Sequence, residues 1–228
     1  MGRGRGELAD ASQGTGLSAT PRAGRGLSIT VAGPDGSGKT SFCAALTAGV
    51  LHGEETRRIH HRFGGLPTRG GNTTDTSQPH AQTPYPRGVS EAKVLALFGE
   101  SLVGWFRSAR PFVRAGGFLI IERGWWDLAV DPARYRLRPH VGLVRLLGRF
   151  LPTTDLVVVL EGPAELLATR KDEVAVEELA RQVAAWRSIV PRRQRSLYLD
   201  VSLPLDEVVS LATAELVRLA PRLTRRNM

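Results

Sequence analysis

The chain has 228 residues, of which 42% are hydrophobic and 23% charged, a composition that supports a packed core and excludes a wholly disordered protein. Its one cysteine, Cys43, excludes an internal disulfide and a cysteine-based zinc site and suits a reducing, cytoplasmic setting. The formal net charge of +9 raises nucleic acid as a partner. The basic residues are scattered, however, and no aromatics interleave with them to stack bases, so nucleic acid is not expected. No apolar run approaches a membrane span, the start MGRGRGELADASQ lacks the apolar centre of a secretory signal, and no membrane association is expected.

Residues 1–25 are rich in glycine and arginine and offer little to bury, which predicts a disordered tail. The apolar, β-branched run 27–33 ends on glycine and predicts a buried strand. A helix is expected over 39–51, directly behind a glycine-rich turn, and a second strand over 57–62. From 63 to 88, glycines and prolines interrupt every periodic pattern, which predicts a long loop, functional or disordered. Val94, Leu95, Phe98, Leu102, Trp105 and Phe106 form one apolar stripe of a helix over 90–114, with Pro111 as a breaking point. Strands are expected at 116–124, 153–162 and 196–201. Helical arms lie at 166–171 and 176–187. The last helix carries Leu205, Val208, Val209, Ala212, Leu216 and Leu219 at helical spacing. Strands alternating with helices predict an α/β domain over 26–220, a five-stranded parallel sheet with helices on both faces, followed by a basic tail at 221–228.

GPDGSGKT, residues 33–40, matches G-x-x-x-x-G-K-S/T at every fixed position, with an apolar strand before it and a helix after it. Gly33, Gly36 and Gly38 let the backbone curl into a nest of N–H groups for phosphate oxygens. Pro34, Asp35 and Ser37 complete that loop, and the helix beginning at Lys39 adds its positive end. Lys39 is expected to bridge the β- and γ-phosphates of ATP, packing against nothing before the nucleotide arrives, and the Thr40 hydroxyl to ligate Mg²⁺. A carboxylate inside the loop, Asp35, is expected to face the space beyond the γ-phosphate, where a kinase orients its acceptor.

With Asp35 in place the loop resembles that of thymidylate kinases, which commonly reads G-x-D/E-G-x-G-K-S/T. The resemblance implies the P-loop NTPase fold and a role for Asp35 in binding the acceptor's sugar. Residues 120–137, IIERGWWDLAVDPARYRL, resemble the Asp-Arg segment of the thymidylate kinase-like branch associated with polysaccharide or secondary-metabolite biosynthesis, with its D-R-Y-x-x-D…D-P-x-R-Y-R pattern. Residues 155–182 resemble that branch's next strand, short lid and helix. HHRFGGLP and the later Pro79–His80 resemble its His-x-Arg stretch. The likeness runs from about 27 to 219 and implies that Arg123 contacts the acceptor phosphate and that Glu122, where the family usually has Asp, holds Mg²⁺ through water. Arg69, in a faint echo of the thymidylate kinase T-R-E-P-G-G-T segment, is a further acceptor-side residue.

Phosphoryl transfer needs positive charge on the equatorial oxygens. The loop position that carries an arginine in some thymidylate kinases is Gly36 here, so Arg170 and Lys171, in a lid over 169–175, are expected to supply it. Arg134 and Arg136, with Tyr135 between them, rank next to Arg123 as acceptor contacts. Trp125 or Trp126 is a candidate floor for an acceptor ring. His60, His61, His80 and His140 lack metal spacing, and no zinc is expected.

These features lead to an ATP- and Mg²⁺-dependent phosphotransferase acting on a small phosphate acceptor such as dTMP. Its acceptor site would be built from Asp35, the 60–90 loop and the segment after Arg123, and a homodimer is a candidate assembly. A kinase of a sugar or biosynthetic intermediate is the alternative within enzymes, with Asp35 as base. A catalytically degenerate nucleotide-binding protein, favoured only by Glu122, is the alternative outside them.

Overall fold

The computed structural model describes residues 24–60, 83–170 and 174–226. Five strands, β1 (Ser28–Ala32), β2 (Thr56–His60), β3 (Phe118–Glu122), β4 (Leu156–Glu161) and β5 (Ser196–Asp200), pair in the order β2-β3-β1-β4-β5. Every pairing is parallel. Parallel strands need crossover connections, and these are helical: α1 (Lys39–Ala48), α2 (Arg87–Gly104), α3 (Arg110–Arg114), α4 (Asp127–Val130), α5 (Val141–Gly148), α6 (Ala164–Arg170) and α7 (Val176–Ile189), with α8 (Leu205–Leu219) following β5.

β1, β3 and β4 are buried on both faces, which is why 118–121 and 156–160 read as unbroken apolar runs, while β1 also buries the polar Ser28 and Thr30. Ile29, Val31, Ile120, Leu156 and Val158 point to one side, against Phe42, Cys43 and Leu46 of α1 and Val208, Ala212 and Leu216 of α8. Ala32, Val157 and Val159 point to the other, against α4, Val144 of α5 and Trp186 of α7. A smaller cluster joins Leu119 and Ile121 to Ala109 and Val113. The α/β, parallel five-stranded architecture is therefore the one expected.

Three local expectations need correction. The second helix begins at Arg87 rather than 90, so the end of the expected 63–88 loop is helical; Pro86 stands just before it, where a missing N–H costs nothing. Pro111 does not end the helical path. A π-helical turn, Trp105–Ala109, widens the backbone immediately before it, and α3 continues with Pro111 at its second residue. The segment expected to be a basic tail instead forms a 3-10 helix, Pro221–Arg226. Leu223 there is buried, and Arg222 donates to the carbonyls of Gly24 at 2.7 Å and Gly116 at 2.5 Å. One leucine and one arginine with backbone acceptors tie it to the core. The expected tail at 1–25, apart from its last two residues, and the loop over 61–82 lie outside the described residues.

Candidate functional site

The strand-to-helix turn between β1 and α1 forms a cradle at the carboxyl end of the sheet, the end where open α/β folds bind ligands. Gly33 has φ 143° and Gly36 φ 78°. A Cβ on Gly33 would lie 2.3 Å from the Leu160 carbonyl oxygen, and one on Gly36 would lie 2.4 Å from that of Leu167. Any side chain there would push the loop off β4 and α6. Glycine is required at both positions.

Lys39 corrects one expectation. Its ammonium is buried and donates to the carbonyls of Gly33 at 2.8 Å and Pro34 at 2.6 Å and to Ser37 Oγ at 3.3 Å. A buried ammonium has three donors to satisfy, and the curled loop presents acceptors at that spot. Burial pushes the Lys39 pKa down, Arg123 adds to the push, and Asp35 and Asp127 oppose it.

Asp35 is also placed differently from the expectation. It does not face open space: it is 4% exposed, its Oδ1 accepts from Arg123 Nη2 at 2.5 Å, and its Oδ2 accepts from Arg134 Nη2. Burial alone would raise its pKa, but the two guanidiniums outweigh burial and hold the carboxyl well below the usual carboxylate range. Arg123 leaves β3 with φ 59°, an unusual backbone state for a side-chain-bearing residue, which belongs to the turn into α4. Asp127 lies 3.8 Å from Arg123 and caps the turn by accepting from Gly124 N–H at 2.9 Å. Asp131 accepts from Arg134 Nε at 3.3 Å. Lys39, Asp35, Arg123, Arg134, Asp127 and Asp131 thus form one network of alternating charge beside the cradle.

One expected neighbour, Arg136, stands apart from it. The Tyr135 ring is buried in the apolar cluster with Leu128 and Val144, while its hydroxyl is near enough to feel the charges of Asp127, Arg123, Asp131 and Arg134. The Arg136 guanidinium lies 4.3 Å over the Tyr85 ring and its Nε donates to the Thr83 carbonyl at 3.3 Å, so it braces the segment leading into α2. Asp127 is the useful residue that pattern reading passed over, although it stands where the D-R-Y-x-x-D pattern has its second acid.

Glu122 ends β3 beside α1. Its Oε2 accepts from Thr40 Oγ1 at 3.4 Å, Arg58 pairs with its Oε1, and His60 Nε2 lies 3.5 Å away. Burial, followed by Arg123 and Arg58, pushes the His60 pKa below its ordinary value. A hydroxyl and a carboxylate side by side are oxygen ligands of the kind Mg²⁺ takes from proteins, which bind it through one or two carboxylates plus phosphate. Thr40 and Glu122 fit that role once Arg58 yields. Among the described residues no group of three or more His, Cys, Asp or Glu side chains could hold a metal. Arg58 had no sequence signal beyond a charged residue in an edge strand.

The Arg170 guanidinium donates to the Val201 carbonyl at 3.0 Å, in the wall of a cleft shared with Gly36, Ser37 and Gly38. Lys171 and Arg69 lie outside the described residues.

By sequence, the chain matches no family model and no curated protein. By structure, it is similar to the thymidylate kinase of Candida albicans, with a TM-score of 0.61 over 87% of this chain and 94% of that one, at 17% identity. The fold is thymidylate kinase-like. That is the P-loop NTPase fold expected from GPDGSGKT. In this thymidylate kinase-like frame the cradle, Arg123 and Arg134 occupy one end of the sheet, and among the described residues no helix is long and apolar enough to cross a membrane.

Proposed function

We propose that this protein is an ATP-dependent kinase that transfers the γ-phosphate to a nucleoside monophosphate such as dTMP, in the cytoplasm. The observation that carries the reading is the convergence of Asp35, Arg123 and Arg134 beside the phosphate cradle and Lys39. Two arginines that share one carboxylate can release it to a phosphate with little movement, and a guanidinium fork matches two phosphate oxygens.

In this reading the N–H groups of residues 33–40 hold the phosphates of ATP, with the α1 N-terminus adding its positive end. Lys39 turns from the loop carbonyls to the β- and γ-phosphates. Thr40 and Glu122 would hold Mg²⁺, which when bound compensates phosphate charge. Arg123 and Arg134 orient the acceptor phosphate, with the Tyr135 hydroxyl beside them. Arg170 and Lys171 bring lid charge to the transferring group.

Asp35 weighs against a sugar hydroxyl as acceptor. A carboxylate held at low pKa is a poor general base, whereas a phosphate acceptor is already anionic and needs none. The test is ADP release from ATP with dTMP, other nucleoside monophosphates and sugars offered in turn. Acceptor-dependent turnover with a nucleoside monophosphate is expected. Turnover with sugars alone would replace this reading with the sugar-kinase alternative, and ATP binding without any turnover would replace it with a nucleotide-binding protein.

A further inference from the structure

Glu122 is a carboxylate only 1% exposed at the end of β3, and a charge so placed needs a cation beside it. Its two oxygens are served differently. Oε2 faces Thr40 Oγ1 at 3.4 Å and His60 Nε2 at 3.5 Å. Oε1 is buried and accepts no hydrogen bond from the described residues, and the Arg58 guanidinium lies against it as an ion pair.

The sheet aims that arginine. β2 and β3 pair with Arg58 opposite Ile120 and His60 opposite Glu122. Side chains two residues apart share a face, so Arg58 lies on the face that carries Ile120 and Glu122, the one packed against α1. There its Nη2 also reaches the Thr40 carbonyl at 3.5 Å. One guanidinium therefore spans Glu122 and Thr40, the same two residues that would hold Mg²⁺.

The two partners of this ion pair differ in what they lose on separation. The Arg58 side chain is 36% exposed and stands on an edge strand, so water can receive it, and its bond to Thr40 is long. Glu122 has no such outlet: without a cation it is a buried, unpaired charge. A guanidinium or a divalent ion can neutralise it, but two cations at one carboxylate repel each other. Proteins bind Mg²⁺ through one or two carboxylates plus substrate phosphates. A single carboxylate with an arginine already on it is thus a poor metal site, and phosphate oxygens tip the balance.

Building on the kinase reading of this site, we propose that Arg58 is a resident counter-ion: a positioning residue that holds Glu122 and closes it to divalent metal until nucleotide phosphates supply the remaining ligands. The test is Mn²⁺ binding to the full chain without nucleotide, read from the loss of the free-ion signal in electron paramagnetic resonance. Wild type should leave Mn²⁺ mostly free. Arg58→Met, which keeps an unbranched stem and drops the charge, should bind one Mn²⁺ at least about tenfold more tightly, whereas Arg58→Lys should stay close to wild type. Glu122→Gln added to Arg58→Met should remove the gained site. A thermal scan gives a second readout: Mg²⁺ should raise the Tm of Arg58→Met and leave that of wild type almost unchanged, because only the variant binds it without nucleotide. Tight Mn²⁺ binding by wild type overturns the proposal by itself, whether or not a variant folds. Equal binding by wild type and Arg58→Met, binding by Arg58→Lys as tight as by Arg58→Met, or a gained site that survives Glu122→Gln also overturns it. None of these readouts involves turnover, so kinase activity with no difference in Mn²⁺ binding rejects this inference and leaves the kinase reading standing.

Discussion

Replacing Lys39 by alanine removes a cation and three hydrogen bonds at once, because the ammonium holds Gly33, Pro34 and Ser37 together. Transfer should fall by orders of magnitude, and the urea midpoint should drop by the equivalent of about 1–3 kcal/mol for the buried groups left unpaired. Wild-type turnover in this variant would remove the phosphate-loop assignment. Arg123→Lys tests the acceptor side. A lysine offers a point charge where the guanidinium spans Asp35 and Asp127, so the acceptor KM should rise at least about tenfold while the KM for ATP stays nearly constant. The reverse pattern would move Arg123 to the donor side.

At the level of elements, the lid is the exposed question. Gly36 leaves the cradle without an arginine of its own, and α6 carries Arg170 to the edge of the same cleft, where it rests on the Val201 carbonyl. Arg170→Ala should lower kcat by about 10³ and change the KM for ATP far less, as expected of a contact made in the transition state. Small, equal effects on both constants would mean that Arg170 remains a tie between α6 and the end of β5. The turn from β3 into α4 makes a complementary point. Its route is set by one residue at positive φ, Arg123, and by the Asp127 cap on Gly124, and those same two residues belong to the charge network. Element geometry and site geometry are one feature there.

For the whole molecule, the buried network links stability to pH. The Asp35 pKa is lower in the folded chain than its ordinary 3.8, so its stabilisation is complete above that value and is lost as pH falls toward the folded one. Urea midpoints measured downward from pH 5 should fall steeply below about pH 4. Asp35→Asn should be less stable at pH 7, by roughly 3–5 kcal/mol for a broken buried pair, and should show a flatter acid limb. An unchanged acid limb in that variant would assign the acid sensitivity to other carboxylates. The amino-acid sequence by itself determined the alternating α/β order, the parallel sheet and the phosphate cradle. Those rest on local patterns, apolar runs such as 156–160, helical periodicity such as 205–219 and the glycine spacing of 33–38, and each shows within a short window. It also named Asp35, Arg123 and Arg134 separately. Only the tertiary structure decided that Asp35 turns onto both arginines, that Asp127 and Arg58 join the site, that Arg136 stands apart, and that Leu223 anchors the 221–226 segment. Each of those depends on which buried polar group finds a partner from another element, and a buried charge or an apolar side chain takes whatever neighbour the packing of distant segments brings to it.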